Sequence, residues 1–307
     1  MSYRGLHLGP YPFFDARVSL QRPGEHVEAL RLEKSDLFDA KLLRTVLPGS
    51  AVSSVAKISG VGFLFLMHVA LARLLPDADQ YGYVVWAVSL AQLLAVLAVL
   101  GLSQTALRFG SRYLARGEHG RYLALVRMAS VRVAMAGVLI ASAVFAWFFF
   151  RQAAYGITTR HEVAMIIGLT VPLIALGDLT GRIAQAHQWF ALAFFPERTL
   201  RPVLVIVGSW LVFSLSDHSL RAEQAAWVIF FSTLTWVATQ ALLVQLKRRR
   251  TLGFAEAGNP MDVDDEKRAW RQAAVPFFVI GLMSIGMAYG DILLLGLLSD
   301  GKETGGY

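Results

Sequence analysis

Seven stretches of this chain are each apolar over roughly the 20 residues that a helix needs to cross a bilayer, and arginine crowds every second turn between them. The turn after the second stretch, 101–130, carries Arg108, Arg112, Arg116, Arg121 and Arg127. The next but one, 181–201, carries Arg182, Arg198 and Arg201, and the third of the set holds Lys247, Arg248, Arg249, Arg250, Lys267, Arg268 and Arg271. The turns between these are nearly bare: none in 76–82, Arg151 and Arg160 in the next, and only Arg221 in 216–224. Lysine and arginine favour the cytoplasmic side of membrane loops, so the alternation predicts a polytopic, all-α bundle with its N-terminus inside. The expected spans are 51–75, 83–102, 128–150, 163–181, 195–215, 224–246 and 274–298. Pro196 and Pro202 interrupt the fifth. If the fifth failed to cross, the basic run at 247–271 would face the wrong side.

Composition narrows the class further. Charged residues make up 17% of the chain and hydrophobic ones 55%, with a mean hydropathy of +0.50, whereas charged residues reach about a quarter of a soluble domain. A net charge of +7 suits cytoplasmic loops facing anionic headgroups, and nucleic acid is not an expected partner. With no cysteine, disulfides, thiolate metal sites and cysteine nucleophiles are all excluded. Soluble-enzyme signatures are missing too: no HExxH, no GxSxG and no phosphate-binding loop occurs. Neither a catalytic residue, a cofactor nor a metal is therefore expected.

Residues 1–50 stand apart as a cytoplasmic extension without the apolar core of a signal peptide. Within it, the leucines and charges of 25–47 read as an amphipathic helix on the membrane surface, with a mobile tail as the alternative. A six-helix unit should occupy 51–246, followed by a polar cytoplasmic linker over 247–272 and a seventh helix within 273–307. Gly60 with Gly62, Gly177 with Gly181 and Gly286 with Gly290 read as close helix contacts.

An ionisable side chain at a helix centre costs about 2.5–3.5 kcal/mol on insertion scales unless it faces a cavity or a partner. His68 and Asp291 are the deepest, on the first and seventh spans, and are candidates for taking up a proton or sodium ion, Asp291 above all. A hydrogen-bonded packing role is the alternative for each. Nearer the cytoplasmic ends of spans two to five lie Arg108, Arg132, Asp178, Arg182, His187, Glu197, Arg198 and Arg201. Guanidinium groups present paired donors to phosphate, so Arg108, Arg182, Arg198 and Arg201 are candidates for an anionic headgroup. Snorkelling to lipid phosphates explains a single arginine equally well. Asp178 is a third ion-coupling candidate, but Asp178 and Arg182 are spaced i, i+4, so a simple intrahelical pair is the alternative explanation for both.

Several short motifs resemble one family. Ala72-Arg73-Leu74-Leu75-Pro76, Gln80-Tyr81-Gly82-Tyr83, Gly101-Leu102-Ser103 and Ala106-Leu107-Arg108-Phe109 are similar to the opening of polysaccharide transporters, the Wzx-type flippases for lipid-linked oligosaccharides. Asp291-Ile292-Leu293-Leu294-Leu295-Gly296, followed by Gly305-Gly306-Tyr307, resembles the same family's seventh helix and the turn after it. The resemblance covers 51–307. It implies one six-helix lobe of a two-lobe carrier, related to multidrug exporters and to the lipid II flippase, plus the first helix of the second lobe. Alternating access in such carriers rocks one lobe against the other, and a chain with one lobe is expected to be a C-terminally truncated piece of a longer carrier.

The implied function is translocation of an undecaprenyl-diphosphate-linked oligosaccharide across a bacterial cytoplasmic membrane for lipopolysaccharide or exopolysaccharide synthesis. Coupling would be to H+ or Na+, no bond would be made or broken, and membrane lipids and polysaccharide polymerase or export machinery would be the partners. The alternatives are a cation-coupled multidrug exporter of the same superfamily and a membrane-embedded polysaccharide polymerase or ligase. Short outer turns poor in functional groups weigh against the last.

Overall fold

A computed structural model describes residues 40–156, 158–216, 218–252 and 264–298. Two compact units, Met1–Pro48 and Gly49–Tyr307, divide the chain, and all seven spans belong to the second. Most of the amphipathic helix expected over 25–47 lies outside the described residues.

Seven helices are long and apolar enough to cross a membrane: Ser54–Leu74, Ala78–Val99, His119–Arg151, Thr159–Ala186, Phe190–Leu215, Ala222–Thr251 and Glu266–Leu295. Each overlaps one expected span, and the described residues contain no strand. Consecutive spans run antiparallel, so one end of the bundle gathers the arginine-rich turns and is called here the basic end. The side chains that face away from the bundle are large and apolar: Met287 is 90% exposed, Leu215 77% and Leu139 72%. Such surfaces suit lipid and would not stay dispersed in water.

The helices in chain order are α1 (Ala40–Leu74), α2 (Ala78–Val99), α3 (Leu102–Ala115), α4 (His119–Tyr155), α5 (Thr159–Gly168), α6 (Val171–Ala186), α7 (Phe190–Phe195), α8 (Arg201–Leu215), α9 (Ala222–Leu252) and α10 (Asp264–Leu298). Their starts follow local chemistry. Asp77 caps α2 by accepting the Gln80 N–H at 2.8 Å, and Thr158 caps α5 by accepting the His161 N–H. Gln80 extends the first cap, since its Oε1 accepts the Ala222 N–H at 3.0 Å and ties the starts of spans 2 and 6 together.

Residues 101–130 are not the loop expected from their arginines. They form α3 and the first turns of α4, which begins at His119 instead of near residue 128. Leu102, Ala106, Gly110 and Tyr113 of α3 recur at helical spacing and are buried, while Arg108, Ser111 and Arg112 are exposed. The chain enters α3 through Leu100 and Gly101, both left-handed, at φ 51° and 72°. The linker expected over 247–272 is likewise helical at both ends, as α9 runs to Leu252 and α10 starts at Asp264.

Span 5 is broken. Between α7 and α8, Pro196–Leu200 forms a π-helical turn, closed by the Arg201 N–H bonding to the Pro196 carbonyl. Pro196 has no N–H for the Leu192 carbonyl, four residues back. Gln240 of span 6, fully buried, supplies the donor: its Nε2 reaches the Leu192 oxygen at 3.1 Å and that of Ala193 at 3.3 Å. The proline defect is thus repaired from a neighbouring helix.

Spans 2 and 4 form the centre, with 50% and 56% of their most apolar windows buried, against none for span 7. Small residues permit the close approaches. A Cβ on Gly60 would lie 2.6 Å from Arg198 Cβ, and one on Gly177 would lie 2.9 Å from the Trp236 ring. Gly62, Gly286 and Gly290 meet nothing within 4 Å, so the close contacts expected of them are not made among the described residues; they lack the facing side chain that Gly60 and Gly177 each have. Span 7 packs along span 2 and α3, anchored near its start by Trp270.

Candidate functional site

Spans 4 and 5 bring five charged side chains together, from about one to three turns into the bundle from its basic end. Arg182 and Asp178 form the i, i+4 pair that their spacing predicts, Nε to Oδ1 at 3.4 Å, and Arg182 Nη1 also donates to Gln185 Oε1 at 3.2 Å. Glu197 and Arg198 belong to the π turn and Arg201 opens α8. The Glu197 carboxylate feels the charges of Asp178, Arg182, Arg198 and Arg201 at once. Arg201 lies roughly three turns into span 5, with its guanidinium 5.5 Å from the centroid of the Trp236 ring.

Charge in this group is poorly compensated. Three guanidinium groups face two carboxylates, and of the three only that of Arg182 makes an ion pair with a described residue. The Nε atoms of Arg198 and Arg201 are buried and have no hydrogen-bond partner among the described residues. Trp236 offsets part of the cost at Arg201, because the face of an indole attracts a cation. Glu197 and Arg198 lie within the π turn itself, and Arg201 closes it through its backbone N–H.

His68 of span 1 meets the group from the other side. Its Nδ1 is 3.1 Å from the Tyr81 hydroxyl, with the rings edge to face. His68 and Arg201 both line a small cavity with Met67, Leu71, Val84 and Ile229, among others. The cavity wall is apolar and the space is near that of a single water, so the cavity itself offers an ion no ligands. The polar chemistry lies beside it.

Two candidates fall elsewhere. Arg108 is exposed on α3, near the Phe109 ring, and Asp291 is exposed on span 7, where its Oδ1 accepts the Ile292 N–H at 2.8 Å. Asp291 does not line the cavity that His68 borders. Arg201 instead feels Tyr289 from span 7. Glu197, one of the charged residues near the span ends but not one of the expected binding or coupling residues, joins the group, and its i, i+4 spacing to Arg201 is the signal in the sequence. Among the described residues no group of His, Asp and Glu gathers closely enough to hold a metal ion.

Two further clusters stand at the basic end. In the first, Trp270 is fully buried and donates its indole N–H to the Tyr113 hydroxyl at 2.9 Å, beside an Arg121–Glu266 ion pair of 2.8 Å. Burial pushes the Tyr113 hydroxyl above its ordinary pKa, and the Trp270 N–H opposes that shift. In the second, His187 at the end of α6 stacks on Trp189 at 4.3 Å and meets Tyr122 through a 2.8 Å hydrogen bond at Nε2. Burial, with the charges of Arg248, His119 and Lys247, lowers the His187 pKa to about 4.

The chain matches no protein-family model, no curated protein and no solved structure. What stands on the geometry alone is, among the described residues, an all-helical architecture with seven helices able to cross a membrane and a half-buried, undercompensated arginine group shared by span 4 and the broken span 5.

Proposed function

We propose that the protein is a carrier for an anionic lipid-linked oligosaccharide, acting in a bacterial cytoplasmic membrane with its N-terminus inside. The observation that carries this reading is the group of Arg198 and Arg201 on discontinuous span 5 with Arg182 of span 4 beside them, two of the buried Nε donors having no hydrogen-bond partner among the described residues. Broken helices in transporters carry ligand groups at mid-membrane. A diphosphate is the chemistry that would use several guanidinium donors at once. The resemblance to Wzx-type flippases gives the same substrate class, and on this reading the first six spans are one lobe of a MATE-like carrier.

Asp178 and His68 adjoin the arginine group and remain the ion-coupling candidates nearest to it; Asp291 would act from span 7. Arg108, being exposed on α3, would serve initial capture of the headgroup at the membrane surface. The carrier makes and breaks no bond, and the polymerase or export machinery would receive the product. Deleting the gene should leave lipid-linked oligosaccharide on the cytoplasmic face, and restoring Arg201→Gln should rescue translocation at least tenfold less well than the native gene. Normal translocation in the deletion strain would reject the reading. The apolar cavity wall favours a second reading, drug export, although its volume is too small for a drug. Lost drug resistance with unchanged glycan in the deletion strain would select it.

A further inference from the structure

We propose that Lys247 and Arg248, with the ring stack of Tyr122, His187 and Trp189, form a binding site for the phosphate of an anionic phospholipid at the basic end of the bundle. Three helix ends converge there: the start of span 3 with Tyr122 and His119, the end of span 4 with His187, and the end of span 6 with Lys247 and Arg248. Lys247 Nζ stands 4.7 Å from the centroid of the Trp189 ring, and the Arg248 guanidinium lies against the Tyr122 hydroxyl. Tyr122 is fully buried and its ring meets His187 edge-on at 5.2 Å, so the stack is a rigid platform rather than a solvated loop.

The charges on this platform have no counter-charge among the described residues. Among the described residues neither Lys247 nor Arg248 pairs with a carboxylate, whereas nearby Arg121 binds both Glu118 and Glu266. His119 adds a buried Nδ1 without a partner. A neutral His187 that accepts the Tyr122 O–H at Nε2 carries its own proton on Nδ1, which adds a neutral donor beside two cations. A phosphate accepts from all three. The source is a lipid because the site lies at the span ends, the level of the headgroups, where tryptophan and lysine concentrate. Free phosphate shares the chemistry and is separated by experiment. The site is distinct from the Arg201 group and does not depend on what the protein carries.

A bound anion would offset the Arg248, His119 and Lys247 charges that face His187 and would raise its proton affinity. The full chain, labelled at histidine, is placed in nanodiscs of phosphatidylcholine with and without phosphatidylglycerol, and His187 is titrated by NMR with His187→Gln to assign its signal. Surface potential alone lifts every interfacial histidine alike, by about half a pH unit for −30 mV. The expected result is a rise of His187 exceeding that of His218, exposed at the opposite end of the bundle, by at least about one pH unit, a tenfold change in proton affinity. In the Lys247→Gln, Arg248→Gln double variant that excess should vanish, and native mass spectrometry should show retained phosphatidylglycerol falling at least tenfold. Equal shifts at the two histidines, or undiminished lipid retention in the double variant, would overturn the site. The same excess produced by millimolar inorganic phosphate in phosphatidylcholine alone would overturn the lipid assignment.

Discussion

Gln240 shows how a single uncharged side chain sustains a feature of the whole span. It is fully buried, and its Nε2 bonds the carbonyls of Leu192 and Ala193, the first of which lost its helical donor to Pro196. Gln240→Leu conserves volume but strands a buried acceptor, at a cost of about 1–3 kcal/mol. Thermal unfolding of the purified variant should show a lower Tm, and an unchanged Tm would mean that Leu192 finds another donor. His187 gives a prediction in pH. Its pKa is about 4 against an ordinary 6.5, so between those values the unfolded chain takes a proton that the folded one refuses. Stability from this residue is complete above pH 6.5 and falls as pH drops from about 6.5 to 4. His187→Gln should remove that slope from the unfolding midpoint measured across the same pH range. Charge made Arg182 and Arg198 visible in the sequence, and the i, i+4 pair of Asp178 with Arg182 was readable from spacing alone. Gln240 carries no charge, and its partners lie 47 and 48 residues away, so no local pattern pointed to it.

At the scale of elements, the least regular parts of the chain do the positioning. Pro196 and Pro202 marked span 5 as interrupted, but the proline pattern does not distinguish a kink from a π turn. Glu197 and Arg198 fall in that turn and Arg201 closes it. Helix α3 was hidden for another reason: five arginines in 101–130 read as a loop, while the buried period of Leu102, Ala106, Gly110 and Tyr113 is a weaker signal in a mixed stretch. It packs against span 7 as well as against spans 3 and 4. Gly101 enters α3 in the left-handed region at φ 72°, and a Cβ there would overlap the carbonyl oxygen of Ala274. Gly101→Ala therefore combines a left-handed penalty of about 1–2 kcal/mol with a collision against span 7. A disulfide engineered between cysteines on α3 and span 7 near Tyr113 and Trp270 should form readily in the native background. It should form at least several-fold more slowly with Gly101→Ala, and an equal rate would show that span 7 docks without the glycine.

For the molecule as a whole, the number of spans was legible because a bilayer imposes a length that the eye can count, and all seven expected spans overlap a helix. Side-to-side arrangement was not, since it depends on which glycine meets which ring, as Gly177 meets Trp236. The arginine alternation connects the two levels and makes a claim about orientation that can be tested directly. Connectivity places Arg116 and Arg249 at one end of the bundle and Ser219 and Arg221 at the other, and all four are exposed. The chain has no cysteine, so Arg116→Cys, Arg249→Cys, Ser219→Cys and Arg221→Cys each supply a single thiol. If basic turns face the cytoplasm, a membrane-impermeant maleimide added to cells whose outer membrane has been permeabilised should label the cysteines at 219 and 221. Those at 116 and 249 should react only after the inner membrane is opened. Labelling of 116 and 249 in intact spheroplasts would invert the molecule. It would then place the Lys247–Arg248 platform on the outer leaflet and turn the mouth nearest Arg182 and Arg198 away from a cytoplasmic substrate. Labelling of 219 alongside 249 from one side would instead mean that span 6 fails to cross, and the seven-span topology would fall.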